Sequence, residues 1–374
     1  MAIAEELVEI PLVDHHCHEV VLDPLDAESF AQLLTEAHSR GRAQLDTQVG
    51  LAVRRWCAPV LGLEAHADPS AYLERRASLG AREASRLLLR ASGVGELLVD
   101  TGLSWPGLCS LGELGALAGA RARVVTRIEH VVEQLAEIGC RADELGSAIG
   151  QALAERASRS VAFKTVAAYR VGLDLPDSPP TATEVRRAAG RWFRECERTG
   201  RVRLDDPTLV AHAVWCCVPL GLPLQVHTGF GDSDLTLHRS DPSRLTPLLR
   251  ALPAGPPVVL LHCYPFHRQA GYLASVFPQV ALDVSLAVNH VGPRASVVLA
   301  ETLELAPFGS VLYASDGFGL AELHHLGAVL FRDALGRLLD KWLAEDVLSL
   351  PDARRFAEMI AAGNARRVYR LEES

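Results

Sequence analysis

The chain has 374 residues, 49% of them hydrophobic, so it can bury a large core. The net charge of −9 and the lack of a basic run argue against a polyanionic partner, and nucleic acid binding is therefore not predicted. The first 13 residues carry acidic side chains where a signal peptide would carry basic ones, and no apolar run is long enough to cross a membrane. Eight cysteines without regular spacing are typical of reduced thiols, which predicts a cytoplasmic protein.

Eight short β-rich runs are predicted along the chain, each ending in polar or small residues. They are Ile10–His16, Glu96–Asp100, Arg123–Ile128, Ser160–Thr165, Leu222–His227, Val258–His262, Val280–Val284 and Ser310–Ser315. Most are followed by helix-like segments, and this alternation indicates parallel βαβ units. Eight units favour an α/β fold of the (β/α)8 TIM-barrel type, with a doubly wound open sheet as the alternative.

The connection after the first predicted strand is too long for a single crossover. Residues 24–92 are therefore predicted to form a helical insert within one domain spanning 1–374, and its helices include Ala27–His38 and Pro69–Leu89. Such an insert lies at the mouth of a barrel. A loop is predicted at Asp174–Thr183, and the chain from Leu320 onward is predicted to be helical.

Polar side chains at the ends of the predicted strands have the chemistry of metal ligands. His16 and His18 end the first strand, and residues i and i+2 of an extended segment share one face. His227, His262 and Asp316 end the fifth, sixth and eighth strands. In a barrel these ends converge on one point, so the sequence predicts a metal site there, although any one histidine alone would be read as a core or loop residue.

Lys164 in the fourth predicted strand adds to this pattern. Only Lys164 and Lys341 are lysines among the 37 basic side chains, the rest being arginine. A primary amine can form a carbamate that bridges two cations, whereas a guanidinium cannot. The competing interpretation is a salt-bridged side chain with its stem buried.

This set of residues resembles the binuclear metal site of the amidohydrolase superfamily. Longer stretches resemble the amidohydrolase domain that occurs alone in bacteria and fused to glutamine-synthetase-like proteins in fungi and plants. These stretches are Val13–His18, Phe163–Leu173, Leu224–Asp234, Leu261–Leu273, Leu312–Gly317 and Gly363–Leu371. The resemblance implies that His16, His18 and Asp316 hold one divalent ion and that His227 and His262 hold the other. A carbamylated Lys164 would bridge two zinc ions, with manganese or iron as alternatives. Some members of the superfamily keep only one metal ion, so the sequence leaves open whether a second ion binds.

The resemblance also implies hydrolysis of a C–N bond in a small amide. Asp316 and His262 are the predicted catalytic residues, with Asp316 accepting a proton from the attacking water and passing it to the leaving amine. A carboxylate on the substrate is predicted, and the candidate contacts are Arg170, Tyr169, Glu129 and His290. For each of these four, a structural hydrogen bond or salt bridge explains the residue at least as well.

Two other functions stay open at this point. One is non-oxidative decarboxylation on the same barrel, which in similar proteins uses a single metal and no bridging lysine. The other is a catalytically silent barrel that serves as a binding module. Beyond the small-molecule substrate no partner is predicted, and a homo-oligomer is compatible with the sequence.

Overall fold

The computed structural model describes residues 2–36, 44–252 and 255–372. Its sheet has seven parallel strands in the order β1 to β7, each hydrogen-bonded to the next one along the chain. The strands are β1 Leu12–Cys17, β2 Val94–Asp100, β3 Arg121–Arg127, β4 Ser160–Thr165, β5 Leu224–His227, β6 Val258–Leu261 and β7 Val280–Leu282. The first seven predicted strands overlap with these seven, and β4 has the predicted bounds.

The eighth predicted strand, Ser310–Ser315, is wrong as a regular strand. It pairs with its neighbours only at isolated points: the N–H of Leu312 donates to a carbonyl of β7 (2.9 Å), and the N–H of His15 in β1 donates to Tyr313 (3.2 Å). The N–H of Ser315 donates to the carboxylate of Asp14 at 2.9 Å instead of to the backbone of β1, and pairing resumes where the N–H of Asp316 donates to His16 O at 3.1 Å. The segment nevertheless links β7 to β1, so the curled sheet is consistent with an α/β barrel.

The connection from β1 to β2 contains several helices. Helix α1, Ile3–Glu9, precedes β1. The helices of the connection are α2 Ala27–Leu33, α3 Gln48–Ala52, α4 Ala58–Val60, α5 Pro69–Leu79 and α6 Ala81–Ala91. A π-helical turn, Val53–Cys57, joins α3 to α4. The predicted helix Ala27–His38 ends at Leu33, and its residues 37–38 lie outside the described ranges. The predicted helix Pro69–Leu89 is divided at Gly80, whose φ is 80°.

Helices also follow the later strands, as the alternating pattern predicts. They are α7 Leu111–Ala118, α8 Ile128–Glu137, α9 Leu145–Ala157, α10 Ala167–Arg170, α11 Ala182–Thr199, α12 Pro207–Cys217, α13 Thr246–Ala251, α14 His267–Val276, α15 Ala287–His290, α16 Ala295–Thr302, α17 Ala321–Ala344, α18 Leu350–Glu358 and α19 Asn364–Tyr369. Irregular backbone between α10 and α11 covers most of the predicted loop. Within the described ranges, none of these helices combines the length and apolarity that a membrane crossing requires.

Two apolar layers surround the sheet. The larger one lies between the strands and the outer helices. The smaller one combines side chains from the strand interiors, such as Val13, Leu98 and Val259, with Val368 and Tyr369 of α19. Helix α19 therefore helps to fill the interior of the curled sheet, as side-chain layers do in α/β barrels. The polar side chains described next lie at the carboxyl ends of the strands.

Candidate metal centre

The structure brings together the six side chains that the sequence singles out as metal ligands. They come from β1 (His16 and His18, the latter one residue beyond it), β4 (Lys164), β5 (His227), the residue after β6 (His262) and the segment after β7 (Asp316). His16 Nε2 lies 2.8 Å from the Nζ of Lys164 and 3.3 Å from the Oδ1 of Asp316. His18 Nε2 lies 3.5 Å from the same carboxylate oxygen. These groups therefore share one small volume.

The two remaining histidines complete the same cluster. The rings of His227 and His262 lie 4.6 Å apart between centroids, and those of His16 and His262 lie 5.6 Å apart. His262 Nδ1 is 3.5 Å from Asp316 Oδ2. One donor atom each from His16, His262 and Asp316 lies within 4.8 Å of the others, a spacing at which a single cation can contact all three.

Hydrogen bonds fix which nitrogen of His16 and His18 faces this volume. His16 Nδ1 donates to the Oε1 of Gln225 at 2.9 Å. Gln225 is oriented in turn because its amide nitrogen donates to His15 O at 2.8 Å and to the Tyr369 hydroxyl at 2.9 Å. His18 Nδ1 donates to a backbone carbonyl of β2 at 2.8 Å. Both rings therefore present an unprotonated Nε2, the form in which imidazole binds a metal.

His262 is oriented by a chain of two hydrogen bonds. Its Nδ1 donates to the hydroxyl of Ser285 at 2.8 Å, and that hydroxyl donates to the Oδ1 of Asp283 at 2.6 Å. The Nε2 atoms of His262 and His227 are buried and have no hydrogen-bond partner within the described ranges. Buried polar atoms without a partner are costly, so these two nitrogens point to a missing ligand. The donor set fits a divalent cation.

The electrostatics agree with this fit. Burial lowers the pKa of His16 to about 3, with Lys164 contributing, and burial also lowers the pKa of His227 and His262. Neutral imidazoles are thereby favoured. Burial alone would raise the pKa of Asp316, but it lies well below its ordinary value because any proton on the neighbouring rings of His262, His16 or His18 would lie beside the carboxylate. The carboxylate is therefore ionised, as metal ligation requires.

Left-handed backbone brings two of these side chains into position. His262 has a φ of 68° and Asp316 a φ of 51°, conformations that residues with a side chain adopt rarely. Gly317 follows Asp316, and a Cβ there would lie 2.5 Å from the ring of His324. Only glycine allows this close approach. Such backbone strain is typical of functional sites, where the surrounding structure holds it in place.

The cluster opens into a cavity of about 360 Å³. Tyr169 and Arg170, which the sequence predicts as substrate contacts, line this cavity together with Trp105 and Phe318. The ring of Tyr169 lies 4.4 Å from the ring of His227 between centroids. The guanidinium of Arg170 already has a carboxylate neighbour, at 3.3 Å. Small molecules are commonly bound in cavities of this size.

Glu129 and His290, the other two predicted contacts, do not belong to the residues that line the cavity. The Oε1 of Glu129 accepts hydrogen bonds from the Thr165 hydroxyl at 2.5 Å and from the N–H of Val166 at 3.0 Å. Glu129 therefore holds the end of β4, next to Lys164. His290 packs against Phe230 with 5.8 Å between ring centroids.

Comparison with known proteins decides the family. Residues 13–371 match the family model described as Amidohydrolase. The chain belongs to this family. The predicted membership of the amidohydrolase superfamily is thus confirmed.

Individual relatives differ in how much they share with this chain. The protein fluG of Emericella nidulans is 34% identical over 224 residues, which cover 57% of this chain and 26% of that protein. The chain thus matches about a quarter of the length of that curated relative. A solved Lactobacillus casei protein, provisionally described as a metal-dependent hydrolase, superposes with a TM-score of 0.84 at 29% identity, covering 99% of this chain and 97% of that chain.

A more distant similarity extends over the whole amidohydrolase chain. The uronate isomerase of Thermotoga maritima has a TM-score of 0.65 at 13% identity, covering 98% of this chain and 96% of that chain. Glucuronate isomerase from Caulobacter crescentus has a TM-score of 0.63 at 15% identity, covering 100% of this chain and 94% of that chain. At these identities the similarity shows the fold alone.

Several residues of this candidate site could not be identified from the motifs in the sequence. Gln225 precedes His227 by two positions in β5, so the strand period alone places both on one face and could have identified it. Asp283 and Ser285 follow β7 in the same alternation. Glu36 lines the cavity, but it lies beyond the end of α2, and no strand pattern marks it.

Proposed function

We propose that this amidohydrolase is a metal-dependent hydrolase that cleaves the C–N bond of a small amide bearing a carboxylate. The observation that carries the proposal is that the Nε2 atoms of His16 and His18 face the Asp316 carboxylate, while the buried Nε2 atoms of His227 and His262 in the same cluster have no partner among the described residues. In this proposal His16, His18 and Asp316 hold one divalent ion, and His227 and His262 hold the second. Zinc is the first candidate, with manganese or iron as alternatives.

Lys164 is proposed as the bridge after carbamylation. Burial lowers the pKa of its amine, which favours the neutral, nucleophilic form. In the reaction an N–C bond forms between Nζ and carbon dioxide, and the nitrogen loses a proton. The position of Nζ, 2.8 Å from His16 Nε2 and 3.2 Å from the Asp100 carboxylate, supports this assignment because the amine lies among the proposed ligands.

The chain's own residues would bind the substrate and move the proton. Bound divalent ions lower the pKa of a coordinated water and polarise a substrate carbonyl. Asp316 is ionised and lines the cavity, so it is the proposed acceptor of the proton from the attacking water. It would return that proton to the nitrogen as the C–N bond breaks. Arg170 and Tyr169, on the cavity wall, would orient the substrate through its carboxylate.

Metal analysis combined with a substrate screen tests the proposal. We expect about two divalent ions per chain, together with amine release from small amides such as N-acyl and γ-glutamyl amides. Removing the carboxylate from the amide should lower kcat/KM. Carbon dioxide release from an acid, with one ion bound, would favour the decarboxylase alternative. A chain that bound no divalent metal would favour the silent binding module.

A further inference from the structure

We infer that the substrate also carries a cationic amine, and that Glu36, which lines the cavity, binds this amine while Arg170 takes the carboxylate as proposed above. This inference rests on the proposed function and narrows its substrate class to small amides of an amino acid. It follows from the charged groups that line the cavity, among which Glu36 and Asp232 are the carboxylates that have no basic partner and are not proposed metal ligands.

Every basic side chain on the cavity wall already has a carboxylate partner. Lys164 and Arg127 both contact Asp100, at 3.2 and 2.6 Å. The remaining two pairs are Arg170 with Glu133 at 3.3 Å and Arg203 with Asp234 at 3.1 Å. Within the described ranges, all four basic side chains of the cavity wall are therefore already paired with a carboxylate.

Two carboxylates on the same wall have no such partner. Within residues 2–36, 44–252 and 255–372, neither Glu36 nor Asp232 lies in an ion pair with a basic side chain. Asp232 is held at the wall because Gly231, before it, packs directly on the Tyr169 hydroxyl; a Cβ at Gly231 would lie 1.8 Å from that oxygen. The wall thus carries two carboxyl groups without a basic partner, and Asp232 lies at a fixed place.

The surroundings of Glu36 favour a cation beside it. Burial raises the pKa of Glu36 to about 8, the negative charges of Asp316 and Asp232 raise it further, and Lys164 opposes them. A cation in contact with the Glu36 carboxylate would lower its pKa again, because an opposite charge nearby favours the ionised form. An ammonium group offers three N–H donors and no acceptor, which matches the carboxylates of Glu36 and Asp232. A second carboxylate of the substrate would be repelled there.

A matched pair of amides tests the inference on the zinc-loaded enzyme. The pair is γ-glutamyl methylamide and N-methylglutaramic acid, which differ only by the amino group. We expect Glu36→Gln to lower kcat/KM for the first amide roughly 10- to 100-fold, the range of a charge-assisted hydrogen bond, and to change the second less than about twofold. Asp232→Asn should also lower kcat/KM for the first amide and not for the second, but by a smaller factor than Glu36→Gln. Glu74→Gln, which removes an exposed carboxylate on α5, is the control and should change neither.

Three outcomes would overturn the inference. The wild-type enzyme could hydrolyse both amides equally well, or Glu36→Gln could affect both to the same extent. Alternatively, Glu36→Gln could lower the metal content, which would assign the carboxylate to a metal ion. Thermal unfolding of each variant verifies that it is folded.

A failure of the proposed hydrolysis can be distinguished from a failure of this inference about the amine. If the wild-type enzyme cleaved neither amide, calorimetric binding of the same two compounds would still test the inference. A preference for the amino compound that Glu36→Gln abolishes would support it. Equal binding of the two compounds would overturn it.

Discussion

At the scale of single residues, the site is defined by how each donor is oriented. Gln225, Asp283 and Ser285 direct the rings of His16 and His262 through Nδ1, which leaves Nε2 of each ring as the nitrogen available to a metal. Partners of this kind set the tautomer and the basicity of a metal ligand. The chemistry of the site therefore depends on residues that never contact the cavity.

Lys164 is the residue whose role is tested most directly by substitution. Lys164→Arg retains the positive charge but cannot form a carbamate, so we expect the bound metal to fall from about two ions per chain to one or fewer. Elemental analysis of the purified variant measures this. Lys341→Arg is a matched control, because Lys341 is the only other lysine and lies exposed on α17. A full metal content in Lys164→Arg would remove the bridging role.

Asp316 is proposed to carry the proton from the attacking water to the leaving nitrogen. The Asp316→Asn variant tests this role while keeping a side chain of the same shape. Asp316→Asn keeps the shape of the side chain but cannot accept the proton, so kcat should fall about 10²- to 10⁴-fold. Steady-state kinetics on the best amide from the screen would measure this, with thermal unfolding as the check on the fold. Asp177→Asn, in the exposed loop before α11, should retain wild-type kcat. Near-normal turnover by Asp316→Asn would contradict the proposed mechanism.

The ligand candidates could be read from the sequence because each ends a β-rich run. His16, His18, His227, His262 and Asp316 follow that rule, and the barrel geometry then places them together. The four predicted substrate contacts are divided by the structure, since Tyr169 and Arg170 line the cavity and Glu129 and His290 do not. The position of a residue after a strand does not fix the direction of its side chain. The Glu129 carboxylate, for example, accepts hydrogen bonds from Thr165 and Val166 at the end of β4.

At the scale of elements, the period of the apolar residues located the strands but not all of their ends. The eighth run has the composition of a strand, yet the Asp14 carboxylate takes a backbone N–H that the ladder would need. A side-chain acceptor from a distant strand is invisible to a local pattern. The helix predicted over Pro69–Leu89 fails for a local reason instead, since Gly80 has a backbone conformation that few other residues adopt.

Gly80 provides a test of that break between α5 and α6. Its φ of 80° and ψ of 150° are accessible almost only to glycine, while a Cβ there would meet nothing within 4 Å. Gly80→Ala should therefore lower the free energy of unfolding by roughly 1–3 kcal/mol through backbone strain alone. Urea denaturation measures the change.

Gly112→Ala is the matched control for this experiment. Gly112 lies exposed in the first turn of α7, a Cβ there also meets nothing, and its φ is not positive. Alanine should leave stability unchanged or raise it by up to about 1 kcal/mol, because glycine is a poor helix former. Equal effects of the two substitutions would show that Gly80 is not held in a special conformation.

At the scale of the whole molecule, the curled sheet separates two environments. Apolar side chains from the strands pack with α19 inside the sheet, whereas the histidines, Lys164 and Asp316 lie at the carboxyl ends. The fold thus removes the ligand atoms from bulk water, and this burial keeps the imidazoles neutral. Six residues from both halves of the sequence meet there, so a bound metal would join distant parts of the chain.

Metal removal should for this reason lower the stability of the whole protein. A ligand that binds only the folded state stabilises it by about 2.7 kcal/mol when its free concentration is 100 times Kd. We expect a chelator to lower the midpoint of thermal unfolding by several degrees, and added zinc to restore it. His262→Ala, which lacks one proposed ligand, should show a smaller drop with chelator than the wild-type protein. An unfolding midpoint that neither chelator nor zinc changed would mean that the cluster of histidines does not hold a metal in the folded chain.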